Sequence, residues 1–166
     1  MKSKASSALY NRIREILESA RAGVARSVNT TQVVANWLIG REIVEEEQKG
    51  RIRAEYGKRL IENLSKRLVK DFGRGFAVRN LETFRAFYLG YHELVIPHVV
   101  SAKSWKPGRL HPNLSWTHYR TLLRVEKPDA RAFDEIEALK NNWSLRELER
   151  QINPQIAQMA AEKAIA

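Results

Sequence analysis

The sequence predicts a mainly α, compact multi-helix domain containing a helix-turn-helix-like pair. Three observations carry that expectation. Apolar residues recur at intervals of three and four along most of the chain, as a helix with one buried stripe requires. No stretch alternates apolar and polar residues long enough to build a sheet. Glycine, proline and capping residues stand at the ends of the periodic segments, where helices start and stop. With 166 residues, 43% hydrophobic and 29% charged, the chain suits one ordinary domain with a real core rather than a disordered tail.

Leu9, Ile13, Ile16, Leu17, Ala20 and Val24 place a first helix over residues 6–26. Asn29 and Thr30 offer capping oxygens to a second, whose Val33, Val34, Trp37, Leu38, Ile43 and Val44 run up to Glu45-Glu46-Glu47, with Gly50 as its end. Gly40 in its middle costs up to about 1 kcal/mol relative to Ala and leaves room for another helix to come close. The third helix spans residues 55–72, with Tyr56, Leu60, Ile61, Leu64, Leu68 and Phe72 inward and Lys58, Arg59, Lys66, Arg67 and Lys70 outward. Gly73-Arg74-Gly75 stops it, and a fourth helix starts at Ala77 or Val78, carrying Leu81, Phe84, Tyr88 and Tyr91 on one face.

Pro97, Pro107, Gly108 and Pro112 break the helical pattern, so residues 95–114 read as a loop. Within it, Leu94-Val95-Ile96 and Val99-Val100 suit a short β-hairpin or wing turning across Ser101 to Lys106. Helices resume at Ser115, with Trp116, Tyr119, Leu122 and Leu123 spaced for burial, and after Pro128, with Ala132, Phe133, Ile136 and Leu139 as the apolar positions. Ser144 and Glu147 form a capping box for a last helix, in which Leu145, Leu148 and Ile152 face inward as far as Pro154. Residues 154–166 read as a frayed or weakly helical tail.

The net charge of +10 is unevenly spread: residues 1–50 carry +2, residues 51–91 carry +6 and residues 92–166 carry +2. A concentrated positive field attracts polyanions, nucleic acid among them, although a solvated helix face is also basic. The third and fourth helices with their glycine turn have the layout of a helix-turn-helix. Arg79 and Asn80 stand where residues reading base edges in the major groove would stand, with Arg85 further along. Lys66, Arg67, Lys70 and Arg74 are candidate phosphate contacts. The same pattern also fits an αα-hairpin with a solvated basic face, so a protein-interaction or dimerisation module with a basic docking face stays open beside DNA binding.

Other chemistry is poorly supplied. Zero cysteines exclude disulfides, thiolate zinc sites, iron–sulfur clusters and cysteine nucleophiles. His92, His98, His111 and His118 lack the spacing of a zinc site, and no cofactor, metal or catalytic residue is expected. Adjacent Glu45, Glu46 and Glu47 read as a solvated helix end. Trp37, Trp116 and Trp143 read as core, whereas Trp105, between Lys103 and Lys106, could stack on a base or pin its loop. A PD-(D/E)XK nuclease site is not found: Pro128-Asp129 is followed by Glu137-Ala138-Leu139-Lys140, without the E-x-K spacing and on a helix. Walker and dinucleotide-binding glycine motifs are absent. No run of about 18 apolar residues and no signal peptide is present, so a cytoplasmic protein without a membrane partner is expected.

Several motifs together resemble the N-terminal domain of bacterial YhcG-like proteins. They are Tyr56-Gly57-Lys58-Arg59-Leu60-Ile61-Glu62-Asn63-Leu64-Ser65, Phe72-Gly73-Arg74-Gly75-Phe76 with Arg79-Asn80-Leu81 and Phe87-Tyr88, Leu114-Ser115-Trp116-Thr117-His118-Tyr119-Arg120 with Leu122-Leu123-Arg124-Val125, and Asn142-Trp143-Ser144-Leu145-Arg146-Glu147-Leu148-Glu149-Arg150-Gln151-Ile152. The resemblance spans Tyr10 to Asn153. It implies a helical domain, residues 1–153, regarded as DNA-binding or assembly-forming, that precedes a PD-(D/E)XK nuclease domain in full-length relatives. Here residues 154–166 do not look like that continuation, and Ala77 stands where a polar capping residue is expected. The resulting expectation is a non-catalytic domain lacking the nuclease half that binds duplex DNA and targets or assembles a nuclease. Its expected partners besides DNA are a separately encoded nuclease subunit and a second copy of the chain.

Overall fold

A computed structural model of the chain describes residues 4–22, 28–49, 54–91, 110–111 and 113–165. Among these, the chain forms α1 (Lys4–Ala22), α2 (Val28–Lys49), α3 (Ala54–Phe72), α4 (Val78–Gly90), α5 (Trp116–Leu122), α6 (Pro128–Lys140) and α7 (Leu145–Ile165), with a 3-10 turn at Arg74–Phe76 and no strand. The expected hairpin or wing, and Trp105 within it, lie outside the described residues, as do Gly50 and the expected end of the first helix near residue 26. Asn29 and Thr30 fall inside the first turn of α2 rather than before it. The helices divide into two compact units, Met1–Leu89 and Gly90–Ala166.

The first unit is organised around α2. Leu9, Ile13 and Leu17 of α1, and Leu60, Ile61, Leu64 and Leu68 of α3, are buried as their spacing predicts. Both helices pack on α2. Because α2 is covered on several sides, it buries polar groups as well as Val33, Trp37, Ile39, Ile43 and Val44: Asn36, Glu42 and Glu46 are all inaccessible. A buried carboxylate needs a partner, and Arg12 of α1 supplies one, bonding Glu42 and, at 2.9 Å, Glu46. The acidic run is therefore not the solvated helix end its composition suggests. Glu46 faces α1, Glu47 is tied to α4 by Arg85 at 2.7 Å, and Glu45 alone of the three is exposed, beside Arg41.

The fourth helix crosses α2 at Gly40. A methyl group there would lie 2.0 Å from the Phe84 carbonyl oxygen and 3.1 Å from the Tyr88 Cβ, so the two backbones meet with no side chain between them. Trp37 meets Tyr88 edge to face at 5.0 Å on the same seam, and Leu81, Phe84 and Phe87 complete the core.

The second unit packs α5, α6 and α7 together around Tyr91, Leu110, Leu114, Tyr119, Leu122, Val125, Ala138, Leu148 and Ile152. Tyr91 and Tyr119 meet edge to face at 5.1 Å, and the Tyr119 hydroxyl accepts from the His111 backbone N–H at 2.6 Å. Burial pushes both phenols up, so both stay protonated. Two capping boxes start helices here. Ser144 and Glu147 form the expected one, whose hydrogen bonds hold the Glu147 carboxyl below its usual range. Ser115 and His118 form another that the sequence reading missed, with the histidine in the role usual for glutamate.

One expectation is overturned in this unit. The apolar spacing of α6 marks Phe133 and Ile136 for the core, yet they are 61% and 40% exposed, while Asp134, Glu135 and Ala138 are buried. The helix is rotated relative to the expected face, and its charged residues find partners on other segments: Arg131 lies over the Tyr91 ring at 5.6 Å and Gln155 donates to Asp134 Oδ1 at 3.1 Å. Beyond Pro154, where a frayed or weakly helical tail is expected, the last helix is continuous. It runs on to Ile165 with the exposed proline inside it. Proline lacks the N–H that would bond the Arg150 carbonyl, a loss of about 3 kcal/mol in a helix interior. Beyond it, Gln155 bonds Asp134 and an exposed Lys163 to Glu126 ion pair at 2.5 Å joins the end of the helix to the segment between α5 and α6.

Two stability measurements test these features. Gly40→Ala gains helix propensity but drives a methyl into a backbone carbonyl that no rotamer change can clear. It should destabilise the chain by about 2–3 kcal/mol in urea unfolding. Asp134 has an Oδ2 atom that finds no donor among the described residues, and burial raises its carboxyl above the usual range. Such a group favours folding only below the ordinary aspartate value, and that contribution is lost as pH rises through the folded one. Asp134→Asn keeps an acceptor for Gln155 without the charge. Thermal unfolding should show it more stable than the parent at neutral pH, with the gain vanishing below roughly pH 4.

Candidate nucleic-acid interface

The segment that carries most of the positive charge is built as helix, five-residue turn and helix. Gly73, at φ 95°, ends α3 in a conformation that favours glycine. Its N–H closes on the Val69 carbonyl at 2.9 Å, and residues 74–76 wind one 3-10 turn before Ala77 leads into α4. Three contacts pin this turn. Ser65 Oγ donates to the Phe76 carbonyl at 2.9 Å, Asn80 Nδ2 donates to the Gly75 carbonyl at 3.0 Å, and the Phe76 ring lies edge-on to Phe72 and Phe84 at 6.0 and 6.5 Å. The turn is thus fixed from both helices. It has five residues, one or two more than the three or four usual in a helix-turn-helix.

The expected contact residues fall into two groups. Lys66, Lys70, Arg74 and Arg79 are exposed, and none of them forms an ion pair among the described residues. Lys66 and Lys70 are four apart and share one side of α3, Arg74 opens the turn, and Arg79 is the second residue of α4. The first turn of α4 holds no acidic residue, so its backbone dipole adds to the field. Acidic neighbours in sequence are Asp71 and Glu82, both exposed.

The other three are already engaged. Arg67 is exposed but stacks its guanidinium over the buried Tyr10 ring at 3.8 Å. Asn80 is half-buried and spends an amide N–H on the turn, and Arg85 is half-buried in its bond to Glu47. Glu47 also lies beside Gly57 of α3, where a methyl would stand 3.1 Å from its Oε1, so one carboxylate on α2 touches both helices of the pair. The sequence reading missed Ser65, Tyr10 and Glu47. Nothing local marks Glu47 as the partner of a residue 38 positions away, whereas an amide three residues into a helix after a glycine turn is a recognisable turn lock. Among the described residues no group of three His, Asp or Glu is placed to hold a metal ion, and no helix is long and apolar enough to cross a membrane.

Comparison with known proteins bears on the whole chain. Residues 12–158 match the family described as the DUF1016 N-terminal domain. The protein named "Putative nuclease YhcG" from Escherichia coli (strain K12) is 38% identical over 167 residues, an alignment covering 89% of this chain and 44% of that protein. The chain thus spans less than half the length of that relative. No solved structure matches significantly. With the family description covering most of the chain, and the helices and the glycine turn where the motifs place them, the chain belongs to the DUF1016 N-terminal domain family, as a YhcG-like N-terminal domain.

Proposed function

We propose that this domain binds duplex DNA through the α3–turn–α4 surface and positions a nuclease on it, taking no part in the cleavage chemistry itself. The observation that carries the reading is the set of four exposed cations, Lys66, Lys70, Arg74 and Arg79, that form no ion pair among the described residues and stand on a segment whose turn is pinned at both ends. Cations held by a rigid scaffold can match the spacing of phosphates without first being ordered. Support for the nuclease link is the name of the relative alone.

Within this reading the expected contacts divide by role. Lys66, Lys70 and Arg74 contact phosphates, and Arg79, at the start of α4, reaches a base edge or the next phosphate. Asn80 and Arg85 act at one remove: Asn80 holds the turn, and Arg85, through Glu47, holds α4 against α2. Arg67 covers Tyr10 and contributes charge to the flank.

Duplex binding followed by fluorescence anisotropy over a salt series tests the reading. The logarithm of affinity should fall with the logarithm of salt by about 0.9 per phosphate neutralised. Lys66→Ala, Lys70→Ala and Arg74→Ala should each flatten the slope by about 1. No measurable binding, or binding indifferent to salt, rejects it. An acidic protein partner captured by the same residues would favour a basic docking face instead. Glu47→Gln separates positioning from charge. It makes the chain more positive, so attraction alone predicts tighter DNA binding, whereas loss of the Arg85 tie predicts a two- to five-fold loss, roughly 0.5–1 kcal/mol.

A further inference from the structure

The outer face of α6 presents an aromatic and an aliphatic side chain to solvent. Phe133 is 61% and Ile136 40% exposed, and on the same face lie exposed Asp129 and Lys140. These four positions follow one another at spacings of four, three and four, so they form one stripe along the helix. A phenylalanine this exposed on a regular helix, while two acids on the opposite side are buried, is the reverse of what solvent alone selects.

The stripe is self-complementary. Its members are symmetric about the midpoint between Asp134 and Glu135: Phe133 and Ile136 are equidistant from that point, and so are Asp129 and Lys140. A two-fold axis through the midpoint sets α6 antiparallel to a second α6. Phe133 then meets the partner's Ile136, and Asp129 meets the partner's Lys140, each contact occurring twice. A parallel pairing would instead oppose Asp129 to its own copy. Antiparallel pairing also sets the end of α6 that carries Asp129 against the end that carries Lys140, matching side-chain charge to backbone dipole. The charges are available for this. Lys140 lies 4.0 Å from Glu137 Oε1, at the outer limit of ion pairing, and Asp129 forms no ion pair among the described residues.

We propose that a second copy of this chain covers the outer face of α6 as an antiparallel, two-fold helix pair, with Phe133 and Ile136 at its centre and Asp129 and Lys140 at its ends. A contact made by one 13-residue helix on each side falls below the roughly 1,000 Å² of a stable interface. The association should therefore be weak and concentration-dependent. It stands on the geometry of α6 and is independent of DNA binding.

Sedimentation equilibrium of the full chain, from micromolar to near-millimolar concentration and without DNA, tests this. The mean mass should climb toward twice that of the monomer, and Phe133→Ser should weaken association at least ten-fold. Asp129→Lys and Lys140→Asp should each weaken it, because each opposes like charges at both ends of the pair. An equimolar mixture of these two variants should associate as the parent does, since every end contact is then between opposite charges. All four positions are exposed, and thermal unfolding would verify that each variant folds. A parent chain that stays monomeric throughout overturns the proposal. So does association that Phe133→Ser leaves unchanged, or a mixture no stronger than either charge variant alone.

Discussion

At Gly40 the backbone of α4 rests on the backbone of α2, and the geometry of the first unit depends on that contact. Two helices normally keep their axes 8–10 Å apart because side chains fill the space between them. Removing the side chain at the crossing lets α4 settle into α2 and brings Tyr88 against Trp37. It also fixes where the preceding turn must lie, since Phe76 packs on Phe84, the residue whose carbonyl faces Gly40. A glycine that weakens one helix taken alone thus sets the position of another.

The buried charge on α2 works in the same direction. Its carboxylates are directed to α1 through Arg12, and to α4 through Arg85. Paired and half-buried charges of this kind add little net stability over an apolar core, but breaking one pair strands its partner, so they discriminate between arrangements of the helices. The pairs join residues 30 to 38 positions apart and are satisfied only when α1, α2 and α4 are all in register.

How much of this was legible in the sequence depended on whether the signal was local. Helix existence, the stop at Gly73, the start of α4 at Ala77 or Val78, the close approach at Gly40 and the Ser144 capping box all rest on a few adjacent residues, and all are found. The apolar spacing of α6 points to the wrong face because spacing reports only which residues could share a side. The partners its charged residues find lie on other segments, Tyr91 for Arg131 and Gln155 for Asp134. The extent of the last helix past Pro154 is likewise blurred in the sequence to a frayed or weakly helical tail, since the proline is a local signal and the contacts made beyond it are not. In the candidate interface the charge total was legible. The division of Arg85 and Asn80 from the exposed cations was not, because it depends on Glu47 and on the folded turn.

That division explains how an acidic helix can sit inside a basic surface without cancelling it. Of the six acidic residues in the first 50, four lie within Glu42–Glu47, and three of those turn toward neighbouring helices, where Arg12 and Arg85 answer them. Negative charge is thereby drawn inward or to the α1 and α4 seams. Lys66, Lys70, Arg74 and Arg79 on the other side of the pair have no such partners among the described residues. In water a charge acts over about one Debye length, about 8–10 Å at moderate salt. A carboxylate paired with an arginine in a helix seam has its charge offset by its partner, while an unpaired lysine on an outer turn presents its full charge over that distance. The positive field of the segment thus rests on which of its bases are left unpaired as much as on how many it has.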